Sequence, residues 1–376
     1  MNESNVLAEV NNENQTLVAV VQQDSRAAYF YIYPTEEYSE RFQVRACWLR
    51  NLATAPQQED RAAMEAGLPP MLAAEYCRNL EGEAPLDPAG LMVVWTESDD
   101  GAALWYHGQL LAVIPGWSLY IDHSVCYSAS CIKENPLAYP LGSASTNTQY
   151  ALAENTRQFW RSWQREEGNP WPKMQSDYLA QYEQHFGPSV KYYAIDQGKW
   201  PPMAITQHER DGVYYFLTMG VSIRPMPWVE ILFNDDAARF RRMEMAIAID
   251  GQYMTEENAV QMASALAGFA HVPWANITWF GEGHTLASAV APQGYEGYVL
   301  SSSFYPYSEH LVLPKQYGDT VNIFWASPVF ATERELAQAT PNGGHDLVKN
   351  MREQGVDHIF RPRQQRPSKC SRGLIN

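Results

Sequence analysis

The chain has 376 residues, with 43 Asp and Glu against 27 Lys and Arg, a formal charge of −16, and only 19% charged residues against 45% hydrophobic. This composition excludes bulk disorder and argues against nucleic-acid or anionic-lipid partners, whereas an acidic body speeds the encounter with a basic protein. At roughly 150 residues per domain the length suits two or three domains, and 12 Trp and 22 Tyr call for either partnered burial or a recognition surface.

In chain order, the polar, acidic opening segment (1–15) does not resemble a secretory leader. No apolar run approaches the ~18 residues of a membrane helix. Runs at 16–21 (TLVAVV), 28–33 (AYFYIY) and 43–49 (QVRACWL) have strand length and apolar or alternating character. Helices are expected at 57–66 and 69–80, the second opening on Pro69-Pro70, and 81–90 reads as a loop. Three strands are expected at 91–96, 102–107 and 109–114, the first two joined by a hairpin marked by Asp100-Gly101.

Residues 150–167 carry Leu152, Thr156, Phe159, Trp160 and Trp163 on one helical face, and a second helix near 173–186 stops at Gly187-Pro188. Strands follow at 190–195, 213–219, 244–249, 298–301, 310–313 and 320–326. Between them a helix near 256–269 has Thr255 as its N-cap, and another near 332–339 opens on Thr332-x-x-Glu335, a capping-box pattern. A last helix covers about 344–354. The interspersed strands and helices lack a βαβ rhythm, so the fold class is α+β with mixed or antiparallel sheets. The expected division is an N-terminal α+β domain (1–148), a helical connection (149–188), a second α+β domain (189–360) and a basic, disordered tail (361–376). Without the tail, 22 bases face 43 acids, a charge of −21.

Catalytic signatures are sparse. Neither a Walker-type loop nor a G-x-G-x-x-G between strand and helix occurs, and Gly281-Glu282-Gly283 reads as a turn. No G-x-S-x-G elbow is present, and Ser301-Ser302-Ser303 near Glu309 and His310 reads as a solvated loop. His123-x-x-Cys126-x4-Cys131 is the one local group of soft ligands. Its irregular spacing and missing fourth ligand favour plain thiols over zinc or a cysteine nucleophile. With Cys47, Cys77 and Cys370 the cysteines number five, an odd set that points to free thiols in a reducing cytoplasm. Acidic pairs at 36–37, 59–60, 99–100, 166–167, 235–236, 256–257 and 333/335 read mainly as a solvated negative field. No cofactor or metal is called for, and a binding protein is favoured over an enzyme.

Five strings in the second half resemble the bacterial suppressor-of-fused (SUFU) family: KYYAIDQGKWPPMA (191–204), YYFLTMGVSIRPMPWVEILF (214–233), RRMEMAI (241–247), PWANITWFGEGHT (273–285) and VNIFWASPVFATERELA (321–337), with LVKNMREQGVDHIFRPRQQ closing the series. In order they give a Thr-x-Gly-x-Ser strand, a Glu-bearing strand, a helix, a Gly-His turn and a Trp-x-x-Pro strand. LLAVIPGWS (110–118) and FWRSWQ (159–164) resemble an extension of longer bacterial members. The resemblance implies the suppressor-of-fused fold over roughly 190–360. It also implies a stoichiometric binder: in animals a regulator that buries a short extended peptide, in bacteria an immunity protein that occludes the active site of a cognate polymorphic toxin (Rhs, contact-dependent or type VI-delivered), with ADP-ribosyltransferase or nuclease as candidate toxin activities. Interface candidates are Glu97, Asp99 and Asp100 on the hairpin, Trp105 and Tyr106 beside them, and a groove around Trp200, Met226 and Trp228. The rival readings are a general peptide-binding regulator using that groove and a metal-dependent enzyme using His123, Cys126 and Cys131.

Overall fold

The structure is a computed structural model that describes residues 4–121, 125–163, 168–199, 201–306 and 311–364. The chain divides into two compact units. The first comprises 1–168, 226–234 and 274–278; the second comprises 169–225, 235–273 and 279–376.

In the first unit, β1 (Asn5–Asn11), β2 (Leu17–Gln23), β3 (Ala27–Pro34) and β4 (Arg45–Asn51) form an antiparallel sheet in chain order. The short α1 (Arg61–Glu65) follows. A second sheet runs β5 (Leu91–Trp95), β6 (Ala102–Tyr106), β7 (Gln109–Ile114), β8 (Tyr127–Ser128) and β9 (Tyr139–Pro140). Strand alternation explains the layering. Ala102 and Leu104 of β6 join a core with Leu17, Phe30, Trp48 and Leu49 of the first sheet. Ala103 and Trp105 point the other way, into a smaller cluster with Ala153 of α2 (Thr148–Trp163). The unit is therefore sheet on sheet, with a helix on the far face of the second sheet.

The second unit begins with α3 (Trp171–Phe186), which buries Met174, Tyr178, Tyr182 and Phe186, spaced every four residues, and packs on the sheet that follows. Gly187 ends it at φ 81°, its N–H donating to Glu183 O at 3.0 Å. That sheet is built from β10 (Ser189–Ala194), β11 (Ala204–Arg210), β12 (Val213–Met219) and, after α4 (Val229–Phe233) of the first unit, β13 (Arg242–Asp250). Beyond α5 (Glu256–Ala275) come β14 (Thr285–Ala287), β15 (Gly297–Ser301) and β16 (Val321–Val329), then α6 (Ala331–Gln338), α7 (Gly343–Glu353) and β17 (Ile359–Phe360). The order is β10-β11-β12-β13-β16-β15-β14, with β17 also on β13. The β13–β16 and β13–β17 pairs are parallel and the others antiparallel, so the α+β class with mixed sheets holds. β13 is buried at every residue but its last, the mark of a strand covered on both faces.

Several local expectations are corrected. The helix expected at 69–80 is an irregular path with one 3₁₀ turn (Ala74–Tyr76). Asn51 holds it open, accepting from Leu72 N at 3.0 Å and donating to Leu72 O at 2.8 Å, which takes the groups a helix would have used. The expected 57–66 helix shrinks to α1. β1 occupies the segment read as a polar lead-in, and β11 was hidden because Thr206, Gln207 and His208 are polar yet buried. Of 310–313, residue 310 lies outside the described residues and the rest is not strand. The start of α6 uses Glu333, not Glu335: its carboxylate accepts from Phe330 N at 3.0 Å. Thr255 does cap α5, accepting from Asn258 N at 3.1 Å.

Candidate functional site

The hairpin acids have a structural role. Asp99 and Asp100 are each 2% exposed. Asp99 takes Asn14 Nδ2 at 3.2 Å and Glu13 N at 3.4 Å, and its carbonyl takes Asn12 Nδ2 at 3.1 Å. Asp100 takes Ser98 Oγ at 2.6 Å and Tyr120 Oη at 3.1 Å. Arg45 donates to the Asp100 carbonyl at 2.6 Å and to Pro115 O at 3.0 Å; burial brings its guanidinium pKa down to about 10, against the opposing pull of the Asp100 charge. Apart from Ser98, two residues away, these donors lie 20 to 87 residues away in sequence, so spacing gave no warning that the turn is a knot and not a charged tip.

The neighbouring candidates are also engaged. Glu97, half-buried, accepts from Thr156 Oγ1 at 2.8 Å and so ties α2 to the hairpin. Trp105 is 1% exposed beneath the Arg157 guanidinium, 3.9 Å from its ring. Tyr106 is half-buried, its hydroxyl taking Asp87 N at 3.3 Å. Met226 is buried and Trp200 lies outside the described residues.

Trp228 is the candidate that Tyr120 connects to the hairpin. Half-buried, it sits at φ 69°, a conformation costly for a bulky side chain. Its indole N–H donates to Ile277 O at 2.9 Å, and its ring lies 3.8 Å from that of Tyr120. The same 275–277 segment receives Tyr38 Oη, at 3.4 Å on Ala275 O, and Arg41, at 3.3 Å on Ile277 O. Tyr38, Tyr120 and Trp228 are half-buried, while Arg41 and the neighbouring Glu36, Glu37 and Glu40 are exposed. Tyr38, Arg41 and Tyr120 were missed by sequence reading. Only the TEEYSER string (35–41), acids interleaved with Tyr and Arg, could have drawn attention to Tyr38 and Arg41, and no such string marks Tyr120.

In the second unit the Thr-x-Gly-x-Ser strand and the Glu-bearing strand meet. Glu244, fully buried, accepts from Thr218 Oγ1 at 2.7 Å, Gly220 N at 3.0 Å, Ser222 N at 3.0 Å and Ser222 Oγ at 2.7 Å. Burial raises its pKa above the ordinary carboxylate value, while these four donors pull it back. Arg242 pairs with buried Asp319 at 2.7 Å. Every polar atom of Glu244 is used, so it braces the 220–224 loop. At one end of the sheet, β10 has no strand on its outer side among the described residues, with Val190 49% and Tyr192 46% exposed.

The soft-ligand cluster dissolves into structural thiols. Cys126 donates to Leu137 O and Cys131 to Lys133 O, and burial pushes the Cys77 and Cys131 thiols up to about 11. His123 lies outside the described residues, and among those described no group of three or more His, Cys, Asp or Glu is placed to hold a metal. Ser301 is buried at the end of β15, whereas Ser302 is exposed and Ser303 half-buried; the three wrap the Glu282 carboxylate, while Glu309 and His310 lie outside the described residues.

Residues 199–364 match the Suppressor of fused protein (SUFU) family, so the C-terminal half carries a suppressor-of-fused domain, over nearly the span the sequence motifs indicated. No curated protein matches the chain at a significant level. No helix among the described residues is long and apolar enough to cross a membrane.

Proposed function

We propose that the chain is an immunity-type inhibitor that binds a cognate toxin domain stoichiometrically and occludes its active site. Support comes from the suppressor-of-fused domain, the charge of −16 and the surface around Trp228. The observation that carries the reading is the composition of that surface. Trp, Tyr and Arg are the side chains that dominate binding energy when desolvated at an interface centre. Here Trp228, Tyr38 and Arg41 hydrogen-bond to one segment of backbone and Tyr120 packs its ring on Trp228, with Glu36, Glu37 and Glu40 exposed beside them. Aromatic anchors with a charged rim suit a basic, folded partner, with the rim setting the on-rate and the anchors the off-rate. The expected toxin is an enzyme acting on nucleic acid or nucleotides, because such domains are commonly basic. The expected location is the cytoplasm, where such targets lie.

The test is affinity capture from native lysate with a high-salt wash, run in parallel with the Trp228→Ala chain. The expected result is one stoichiometric partner, inhibited at a one-to-one ratio and lost from the variant. A stoichiometric partner whose activity is unaffected overturns the inhibitor reading.

The open β10 edge favours a second reading, a regulator that adds an extended peptide as an outer strand. Val190 and Tyr192 would supply the side-chain contacts. That reading predicts weak retention of several partners and competition by short peptides, neither of which a folded toxin domain would show.

A further inference from the structure

The second unit contains a cleft of 740 Å³ lined by Glu282, Ser302, Ser303, His345, Lys349 and Arg352, with Val348 and Glu353 completing the lining. Its walls differ in chemistry. On one wall Glu282 is saturated: Ser301 Oγ and Ser303 Oγ (3.0 Å) donate to Oε1, while Ser302 N (2.8 Å) and Ser302 Oγ (3.0 Å) donate to Oε2. The hydroxyls of Ser302 and Ser303 spend their protons on Glu282, so they offer lone pairs to the cleft. The other wall is one face of α7, where His345, Lys349 and Arg352 fall at i, i+4 and i+7. Neither Lys349 nor Arg352 has an acidic partner within ion-pair distance among the described residues, in a chain whose acids outnumber its bases 43 to 27. The two walls are locked together by backbone. A Cβ on Gly344 would lie 2.1 Å from Gly283 O, so the first turn of α7 rests directly on the turn that carries Glu282.

We propose that this cleft binds a small polyhydroxylated anion, a sugar phosphate or a hydroxy-carboxylate. Lys349 and Arg352 hold the anionic group, and Ser302 and Ser303 accept from the ligand's hydroxyls. The volume lies in the range of small-molecule sites, far larger than a lone inorganic ion needs. The charge of Glu282 is dispersed over four donors, which leaves the cationic face of α7 to select the sign of the ligand. This site shares no residue with the Trp228 surface and does not depend on the identity of the protein partner.

The test is calorimetric titration of the full chain with glucose 6-phosphate and with gluconate at low ionic strength, which separates phosphate from carboxylate as the anionic source. The Lys349→Glu/Arg352→Glu chain should bind the preferred probe at least about tenfold more weakly. A control chain with the same charge change elsewhere, Lys191→Glu/Arg61→Glu, should bind as the unaltered chain does. Lys349→Gln/Arg352→Gln serves if charge reversal impairs folding. Saturable one-to-one binding lost only in the α7 variants supports the site. Absence of saturable binding of either probe, or equal loss in both double variants, overturns it.

Discussion

The turn at 96–101 in the first unit and the Glu244 site in the second both bury carboxylates, and they satisfy them by different means. Around Asp99 and Asp100 the donors are mostly side chains: Asn12, Asn14 and Tyr120 from distant stretches and Ser98 from the turn itself, with Arg45 on the Asp100 carbonyl. Around Glu244 two of the four donors are backbone N–H groups of a single loop, 22 and 24 residues away. Backbone donors are fixed by the path of the chain and cannot rotate toward water when the acceptor is lost. Side-chain donors can. The Glu244 site should therefore be the more costly to damage.

Glu244→Ala breaks that comparison if it fails to be the largest effect. It strands Gly220 N, Ser222 N and two hydroxyls in the core, and the expected loss is about 3–5 kcal/mol in a urea titration followed by tryptophan fluorescence. Glu244→Gln keeps an acceptor for Gly220 and Ser222 and turns its amide toward Thr218, so about 1–2 kcal/mol is expected. Asp100→Ala should cost less than Glu244→Ala, about 2 kcal/mol, because Ser98 and Tyr120 can relax toward solvent. A loss for Asp100→Ala equal to or above that of Glu244→Ala would show that donor type does not set the cost.

The same contrast explains what was legible in the sequence. Thr218-x-Gly220-x-Ser222 and Glu244 belong to strings whose order could be read, and the structure brings them into contact. β5–β7, α2, α3 and α5 were legible because their apolar faces repeat at strand or helix period and end on Asp100-Gly101, Gly187 or Thr255. The Asp99–Asp100 knot was illegible because burial is decided by partners up to 87 residues away, and a DDG turn looks the same whether wet or dry. β11 escaped for the converse reason: His208 and Thr206 read as surface, yet His208 holds Gly187 O at 2.8 Å and Thr206 at 3.0 Å. Of the surface around Trp228, sequence supplied Trp228 itself but neither Tyr120 nor Arg41, which only the fold brings to it.

Titration sharpens the comparison, because buried groups in the second unit move in opposite directions. Burial lowers the His208 pKa below 6.5. As pH falls through 6.5 the unfolded chain takes up the proton first, so stability drops until the folded-state value is passed. Burial raises the Glu244 pKa above 4.5. Its contribution is fully present below 4.5 and is lost as pH rises through the folded value, so it offsets part of the His208 loss on acidification. As pH falls from about 7 through 6.5 the His208→Gln chain should show a flatter stability profile than the unaltered chain, and as it falls toward 4.5 the Glu244→Gln chain should show a steeper one. Superimposable profiles for His208→Gln and the unaltered chain would remove His208 as the source of acid sensitivity.

The smallest stability effect is expected where the acids are exposed. Glu36, Glu37 and Glu40 hold no buried donor, so changing all three to Gln should leave stability within about 0.5 kcal/mol of the unaltered chain. Their effect belongs to association instead. Removing three negative charges beside Tyr38 and Arg41 should slow binding of a basic partner about tenfold at low salt, with little change in dissociation, and the difference should shrink as salt is added. Trp228→Ala should do the reverse, raising the dissociation rate with the on-rate nearly kept. Acids that alter rates without altering stability are field charges; acids that alter stability are parts of the fold. If the triple variant lost as much stability as Asp100→Ala, the rim acids would belong with the buried turn, and the Trp228 surface would lose its claim to be a docking face.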